Sequence, residues 1–494
     1  MSRRILIPIL LAPAALGAVL WLVTAGASWL WVSWMPDEAV AILVVALPAL
    51  VFALVLAVDL RWGLLALLVA RPLVDTLRDT GVGFTERFAT LNLAGVLTIA
   101  VVAFTALLVV AGRIQVRKLR LLPPGGLLLI LLATGPLAAG QLSPYFLADY
   151  LRLASLVSVY VLSANVFAHP GGLRQLSATL HAAAILPMVL AAFQLLTGSG
   201  QQTDSAGRLL GVQPTGEVVR ADIAFMRVFG TFEAPGVFGM FLLISLALCL
   251  ARWPSLRGGR KAVLAVWLGL VAGAVFFTFS RAAWVGALMV LCLIAVARRS
   301  WLLLAAGLSL AVLLALLAPT AAERLLDSVS MRDRQYLWAA ALSQLSSWRE
   351  ALIGRGLGSW FELSLAGYGR RVEAHNDYLR LLIESGVWGL GLYLWVMLSM
   401  LVRAAHAFRS SADHFHREVA LGFAALLAAL LAASFTDNIS RHLVLQMYVW
   451  ALAGALEAAE AGRRRQAALT AAVARGGGGA HLPESAAALP ASLS

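Results

Sequence analysis

Residues 262–297 read AVLAVWLGLVAGAVFFTFSRAAWVGALMVLCLIAVA, and Arg281 is the single charged residue among them. A helix needs about 20 apolar residues to cross a hydrocarbon core of about 30 Å. The stretch is therefore long enough for two crossings with Arg281 at the turn between them. A guanidinium held mid-membrane would cost about 2.5–3.5 kcal/mol on insertion scales, and the turn lowers that cost. The whole chain has this character. Of its 494 residues, 61% are hydrophobic and 13% charged, against about 45–50% and about 25% in soluble domains. That balance excludes a string of soluble domains and a disordered chain alike. It implies an all-α, polytopic integral membrane protein.

Further apolar segments lie near 6–28, 39–58, 62–78, 91–111, 122–141, 150–167, 176–196, 233–251, 301–318, 386–402, 419–435 and 442–458. Together they predict about 12–14 transmembrane helices in one membrane domain, 1–458. Arg3 and Arg4 precede the first segment as in a signal peptide, but its apolar stretch is too long for one, so it reads as a retained helix. From residue 459 the chain is Ala/Gly/Ser-rich, with a run from Gly476 to Gly479, and is expected to be a disordered tail.

The formal charge of +13 points to membrane orientation rather than to nucleic acid. Arg113–Arg120, Arg252–Lys261, Arg298–Arg299, Arg403–Arg417 and Arg463–Arg465 all fall on one side of the predicted spans. The positive-inside rule makes that side cytoplasmic, together with both termini. Two substantial loops, near 197–232 and 319–385, then face outward. Cys249 and Cys292 lie in apolar runs, which argues against a disulfide framework or a thiolate metal site.

Three outward stretches carry chemistry. The first runs from Arg227 through Gly230 and Thr231 to Pro235, a bend whose open helix amides suit an anion. The second is Ser280-Arg281. The third is Ala374-His375-Asn376-Asp377-Tyr378-Leu379-Arg380-Leu381-Leu382-Ile383-Glu384-Ser385-Gly386. Asn376 and Asp377 are good helix starters and Gly386 a good stop, while Leu379, Leu382 and Ile383 share one face. This predicts a short amphipathic helix against the outer membrane surface with His375 at its start. A neutral imidazole there is able to accept a proton. Taken singly, each of these residues has a plainer reading: a hydrogen-bonding loop histidine, or a snorkelling arginine. Glu384 reads as structural or as an Arg partner.

Together and in this order, the three stretches resemble the O-antigen ligase and O-antigen polymerase superfamily of bacterial membrane glycosyltransferases. The residues that carry the resemblance are Arg227 to Pro235, Ser280-Arg281, the glycine loop Gly354-Arg355-Gly356-Leu357-Gly358, and His375 to Gly386. Gly236 departs from it, since many relatives have Asn after the proline. The resemblance implies an inner-membrane enzyme with its site facing the periplasm. Its donor would be a glycan on a polyprenyl pyrophosphate, and its acceptor a hydroxyl of a glycolipid, glycan or protein. No cofactor or metal is implied, and direct displacement would invert the anomeric centre. His375 would be the catalytic base. Arg281 and then Arg227 would hold the pyrophosphate, because guanidinium forks suit phosphate better than an ammonium does. Arg152, Tyr378 and Arg380 would line the site. A ligase is preferred, with a polymerase or a protein O-oligosaccharyltransferase as alternatives. A lipid or solute transporter is the alternative of another class.

Overall fold

The structure, a computed structural model, describes residues 59–74, 93–116, 119–121, 125–130, 132, 146–199, 201–204, 223–317, 329–343, 345, 347–368 and 372–475. The expected spans near 6–28 and 39–58, most of the one near 122–141, and tail residues 476–494 lie outside the described residues.

The described chain is a helical bundle with one small hairpin. The first helices are α1 (Leu60–Val74), α2 (Leu93–Val110), α3 (Phe146–Val166) and α4 (Gly172–Thr197). Strands β1 (Gln201–Asp204) and β2 (Ile223–Arg227) then pair antiparallel. Next come α5 (Pro235–Arg252), α6 (Gly259–Phe277), α7 (Arg281–Ala297) and α8 (Trp301–Leu317). The second large loop holds α9 (Val329–Ser343), α10 (Trp348–Ile353) and α11 (Ser359–Tyr368). The chain closes with α12 (Asp377–Ser410), α13 (His414–Ala433) and α14 (Leu443–Arg475).

Six of these helices are long and apolar enough to cross a membrane, and α7 and the greater part of α2 are shorter apolar helices. The chain is an all-α, multi-pass membrane protein, and Arg281 opens α7 after a short turn from α6. Sequence alternation does not signal the hairpin, because the five residues of β2 are too short a run for it to register. Residues 459–475 of the expected tail are helical, since α14 continues to Arg475. Residues 456–475 are rich in Ala and Arg, both strong helix formers.

α5 sits at the centre, buried almost throughout, whereas α6 exposes most of its apolar surface, as a lipid-facing helix does. Glycines let the central helices approach closely. A Cβ at Gly454 on α14 would meet the Tyr160 carbonyl of α3 at 2.4 Å, and one at Gly239 on α5 would meet Ala283 of α7 at 2.6 Å.

The ends of the bundle differ in charge. At one end Arg298 donates to the Ala251 carbonyl at 2.8 Å, and Arg174 and Arg252 both stack on Phe415. The basic loops thus gather there. At the other end lie the start of α3, the end of β2, the α6–α7 turn, the starts of α5 and α12, and the α13–α14 connection.

Candidate active site

His375 is placed by what precedes and follows it. The indole of Trp338 on α9 donates to the Ala374 carbonyl at 2.7 Å, and that of Trp360 on α11 donates to the Val372 carbonyl at 2.8 Å. After it, Asn376 caps α12, its side-chain oxygen accepting from the Leu379 N–H at 3.0 Å. The Asp377 N–H donates to the Ser434 carbonyl at the end of α13. Between these anchors His375 adopts a left-handed backbone, φ 49°. Its imidazole, 39% exposed, sets Nδ1 3.8 Å from Oδ1 of Asp437.

The helix after His375 starts as expected, and its apolar face packs against protein. Leu379 and Ile383 bury against Leu337, Trp360 and Phe361 of the loop helices, while Leu381 faces the bundle core. Its polar residues are interior too. Arg380 donates to Glu384 and to the Ser440 hydroxyl, each at 2.6 Å, and lies 3.6 Å from Asp377. Gly386 does not end the helix. It bends it at φ 65°, and the chain continues as a span.

The glycine loop explains that bend. The Arg355 and Gly356 N–H groups donate to the Ile383 and Glu384 carbonyls at 2.9 Å, and the Gly358 N–H donates to the Glu384 carboxylate. A Cβ at Gly386 would come within 2.2 Å of the Leu352 carbonyl oxygen. The loop and the bend therefore cap one another at a separation only glycine permits.

His375 opens onto a cavity of about 1050 Å³ that Arg281, Arg227 and Arg152 also line. Ser280 caps α7, its hydroxyl accepting from the Ala283 N–H, and so aims Arg281 from the first turn. Arg227 donates from Nε to the Thr278 carbonyl at 2.9 Å, which ties β2 to the α6–α7 turn. Residues from four separate parts of the sequence thus share one space. Tyr378 and Arg380 are not among its lining residues. Tyr378 donates to the Leu431 carbonyl and packs at a tilt against the Phe435 ring, and Arg380 is committed to its buried carboxylates.

The lining also includes Glu373, Arg334, Asp437, Arg441 and His442, which the sequence motifs do not mark as site residues. A signal existed for three of them, since Asp437, Arg441 and His442 interrupt apolar spans on the same side as His375. Arg334 donates to the Thr436 carbonyl at 2.8 Å. Burial presses its guanidinium downward, Asp437 opposes this, and the nearby charge of Arg281 adds to it. Burial alone would raise the Asp437 carboxyl. The hydrogen-bonding and positive influence of His375 and His442 nevertheless hold it below the ordinary carboxylate range. The lining is also apolar in part, with Val285, Gly286 and Met289 of α7 and Ala429, Ala432 and Ala433 of α13. Among the described residues no group of three or more His, Cys, Asp or Glu side chains has metal-binding geometry.

Residues 264–394 match the protein family described as O-antigen ligase. No curated protein matches the chain. The matched segment runs from α6 into the bent helix α12 and holds Arg281, Arg334 and His375. Over that segment the chain is similar to the O-antigen ligase family, in keeping with the resemblance carried by its motifs.

Proposed function

We propose that the chain transfers a glycan from a polyprenyl diphosphate to an acceptor hydroxyl, most like an O-antigen ligase, at the periplasmic face of the inner membrane. The positive-inside rule supports that orientation, since the basic loops gather at the end of the bundle away from His375. The observation that carries the reading is the shared cavity itself. An imidazole and several guanidinium groups meet there with apolar lining residues, which suits a donor with a charged diphosphate and a prenyl chain.

In this reading the acceptor oxygen attacks the anomeric carbon as its proton passes to His375. Nδ1 faces Asp437, so Nε2 is the nitrogen that accepts. The bond between the anomeric carbon and the diphosphate oxygen breaks, and its electron pair leaves with the polyprenyl diphosphate. Arg281 and Arg227 hold the charge that develops there. Asp437 orients the ring and stabilises the imidazolium. One displacement inverts the anomeric configuration. The diphosphate is already a good leaving group, so the residues need supply no strong acid and no metal.

The test is a proteoliposome assay with purified lipid-linked glycan and a series of acceptors, with and without EDTA. His375→Ala is expected to lower turnover by about 10²–10⁴-fold while donor binding persists. Arg281→Ala is expected to weaken donor use. Full activity in both variants would remove the site, and loss with EDTA restored by a divalent ion would remove the metal-free step. The acceptor series separates a ligase, which uses a lipid A core, from a polymerase, which extends the lipid-linked glycan. Transport of the intact donor without transfer would favour a transporter.

A further inference from the structure

We propose that the end of the bundle opposite His375 carries a second binding site, for a phosphate group, and that an anionic phospholipid head group fills it. A cavity of about 390 Å³ opens there between the end of α2, the end of α3, the late turns of α12 and α14. That volume is within the range of about 300–1,000 Å³ typical of small-molecule sites. Arg113, Arg120, Arg403, Arg464 and Arg465 line it, against the carboxylates of Glu457 and Glu460.

The carboxylates are already engaged. Glu457 accepts from the Tyr160 hydroxyl at 2.5 Å and from the Arg120 N–H at 2.9 Å, and lies 3.1 Å from Arg403. Glu460 is paired with Arg464, one helical turn away. Among the described residues, Arg113 and Arg465 are in no ion pair. The surplus is thus guanidinium, the group whose planar fork matches phosphate oxygens.

A soluble phosphate ester would satisfy the same charges. The surroundings favour a lipid. The cavity lies at the ends of α3 and α12, helices long and apolar enough to cross a membrane, where a head group would sit with its chains beside the bundle. Basic pockets between helices at a cytoplasmic surface are suited to such head groups. The site is independent of the proposed glycan transfer, which takes place at the other end of the helices.

The full chain in neutral detergent, titrated with dioleoylphosphatidylglycerol or dioleoylphosphatidylcholine and read by native mass spectrometry, tests this. Phosphatidylglycerol should bind and phosphatidylcholine should not compete. Arg113→Gln/Arg465→Gln should weaken phosphatidylglycerol about 30-fold, and Arg113→Lys/Arg465→Lys should retain most of the binding. Arg257→Gln/Arg260→Gln, exposed at the same end but outside the cavity, should have no such effect. Displacement of the lipid by millimolar inorganic phosphate would keep the phosphate site but overturn the lipid as its occupant. Equal weakening in both Gln doubles, or equal binding of both lipids, would overturn the site.

Discussion

Replacing Arg380 with Met tests whether that residue belongs to the chemistry or to the scaffold. The guanidinium is 5% exposed and serves Glu384, Asp377 and Ser440 at once. Met fills similar volume without charge and leaves two interior carboxylates. Glu384 keeps the Gly358 N–H at 3.2 Å, and Asp377 keeps the Ser440 N–H at 2.7 Å. Breaking one side of a buried ion pair costs about 3–5 kcal/mol. Proton uptake sets a ceiling of similar size for each carboxylate. Neutralising a carboxylate from an ordinary value near 4 costs about 4 kcal/mol at pH 7, since each pH unit is about 1.4 kcal/mol.

The loss should therefore shrink as pH falls. At pH 5 proton uptake is cheaper by about 2.7 kcal/mol, so the variant should approach the wild type there. Arg380→Met/Glu384→Gln should recover part of the loss at pH 7 as well. Denaturant unfolding in mixed micelles, followed by Trp fluorescence at both pH values, measures each quantity. An Arg380→Met protein as stable as wild type but unable to use donor would refute the argument and return Arg380 to the site.

Other expectations follow from single contacts. Gly386→Ala adds a Cβ 2.2 Å from the Leu352 carbonyl oxygen at a left-handed residue; it should destabilise by more than about 2 kcal/mol, read by the same unfolding assay. Asp437→Asn has a pH signature. The Asp437 carboxyl lies lower in the folded chain than in the unfolded one, so its stabilisation is full above the ordinary carboxylate value and fades as pH falls through the folded value. The gap between wild type and Asp437→Asn should thus be present at pH 6 and narrower at pH 3. Gly236→Ala should be tolerated, because its Cβ would meet Ser280 Oγ at 3.5 Å and Asp437 Oδ2 at 3.8 Å, ordinary contacts; unfolding within about 1 kcal/mol of wild type and turnover within a few-fold check it.

The spans were legible in the sequence because hydropathy is local: each helix announces itself over about 20 residues. The turn at Arg281 and the cap at Asn376 were legible for the same reason. What the sequence could not supply was the partner of each polar residue. Arg380 and Arg281 look alike in the chain, yet one is enclosed by Glu384 and Asp377 while the other lines a cavity. The loop helices α9 and α11 bury a face that periodicity had turned toward lipid. Apolar residues on that face said only that something would cover them. Asp437 was hidden in another way, since its role depends on a histidine 62 positions earlier that only the fold brings near.

Backbone strain separates His375 from its neighbours. Among the described residues, Phe279, Arg299 and His375 are the non-glycine residues with positive φ. Phe279 and Arg299 each follow the end of a helix, where a left-handed residue is an ordinary stop. His375 precedes a helix and has no such excuse. A left-handed non-glycine residue costs about 1–2 kcal/mol, and such strain collects where geometry serves function. His375→Gly should then stabilise the fold by about 1 kcal/mol, after the glycine's own loss of chain freedom is counted, while abolishing transfer. His375→Asn, which tolerates the same backbone, should be close to neutral in stability and equally inactive. If both variants unfold more easily than wild type, the imidazole is a structural member held by Asp437, and the strain has no part in catalysis.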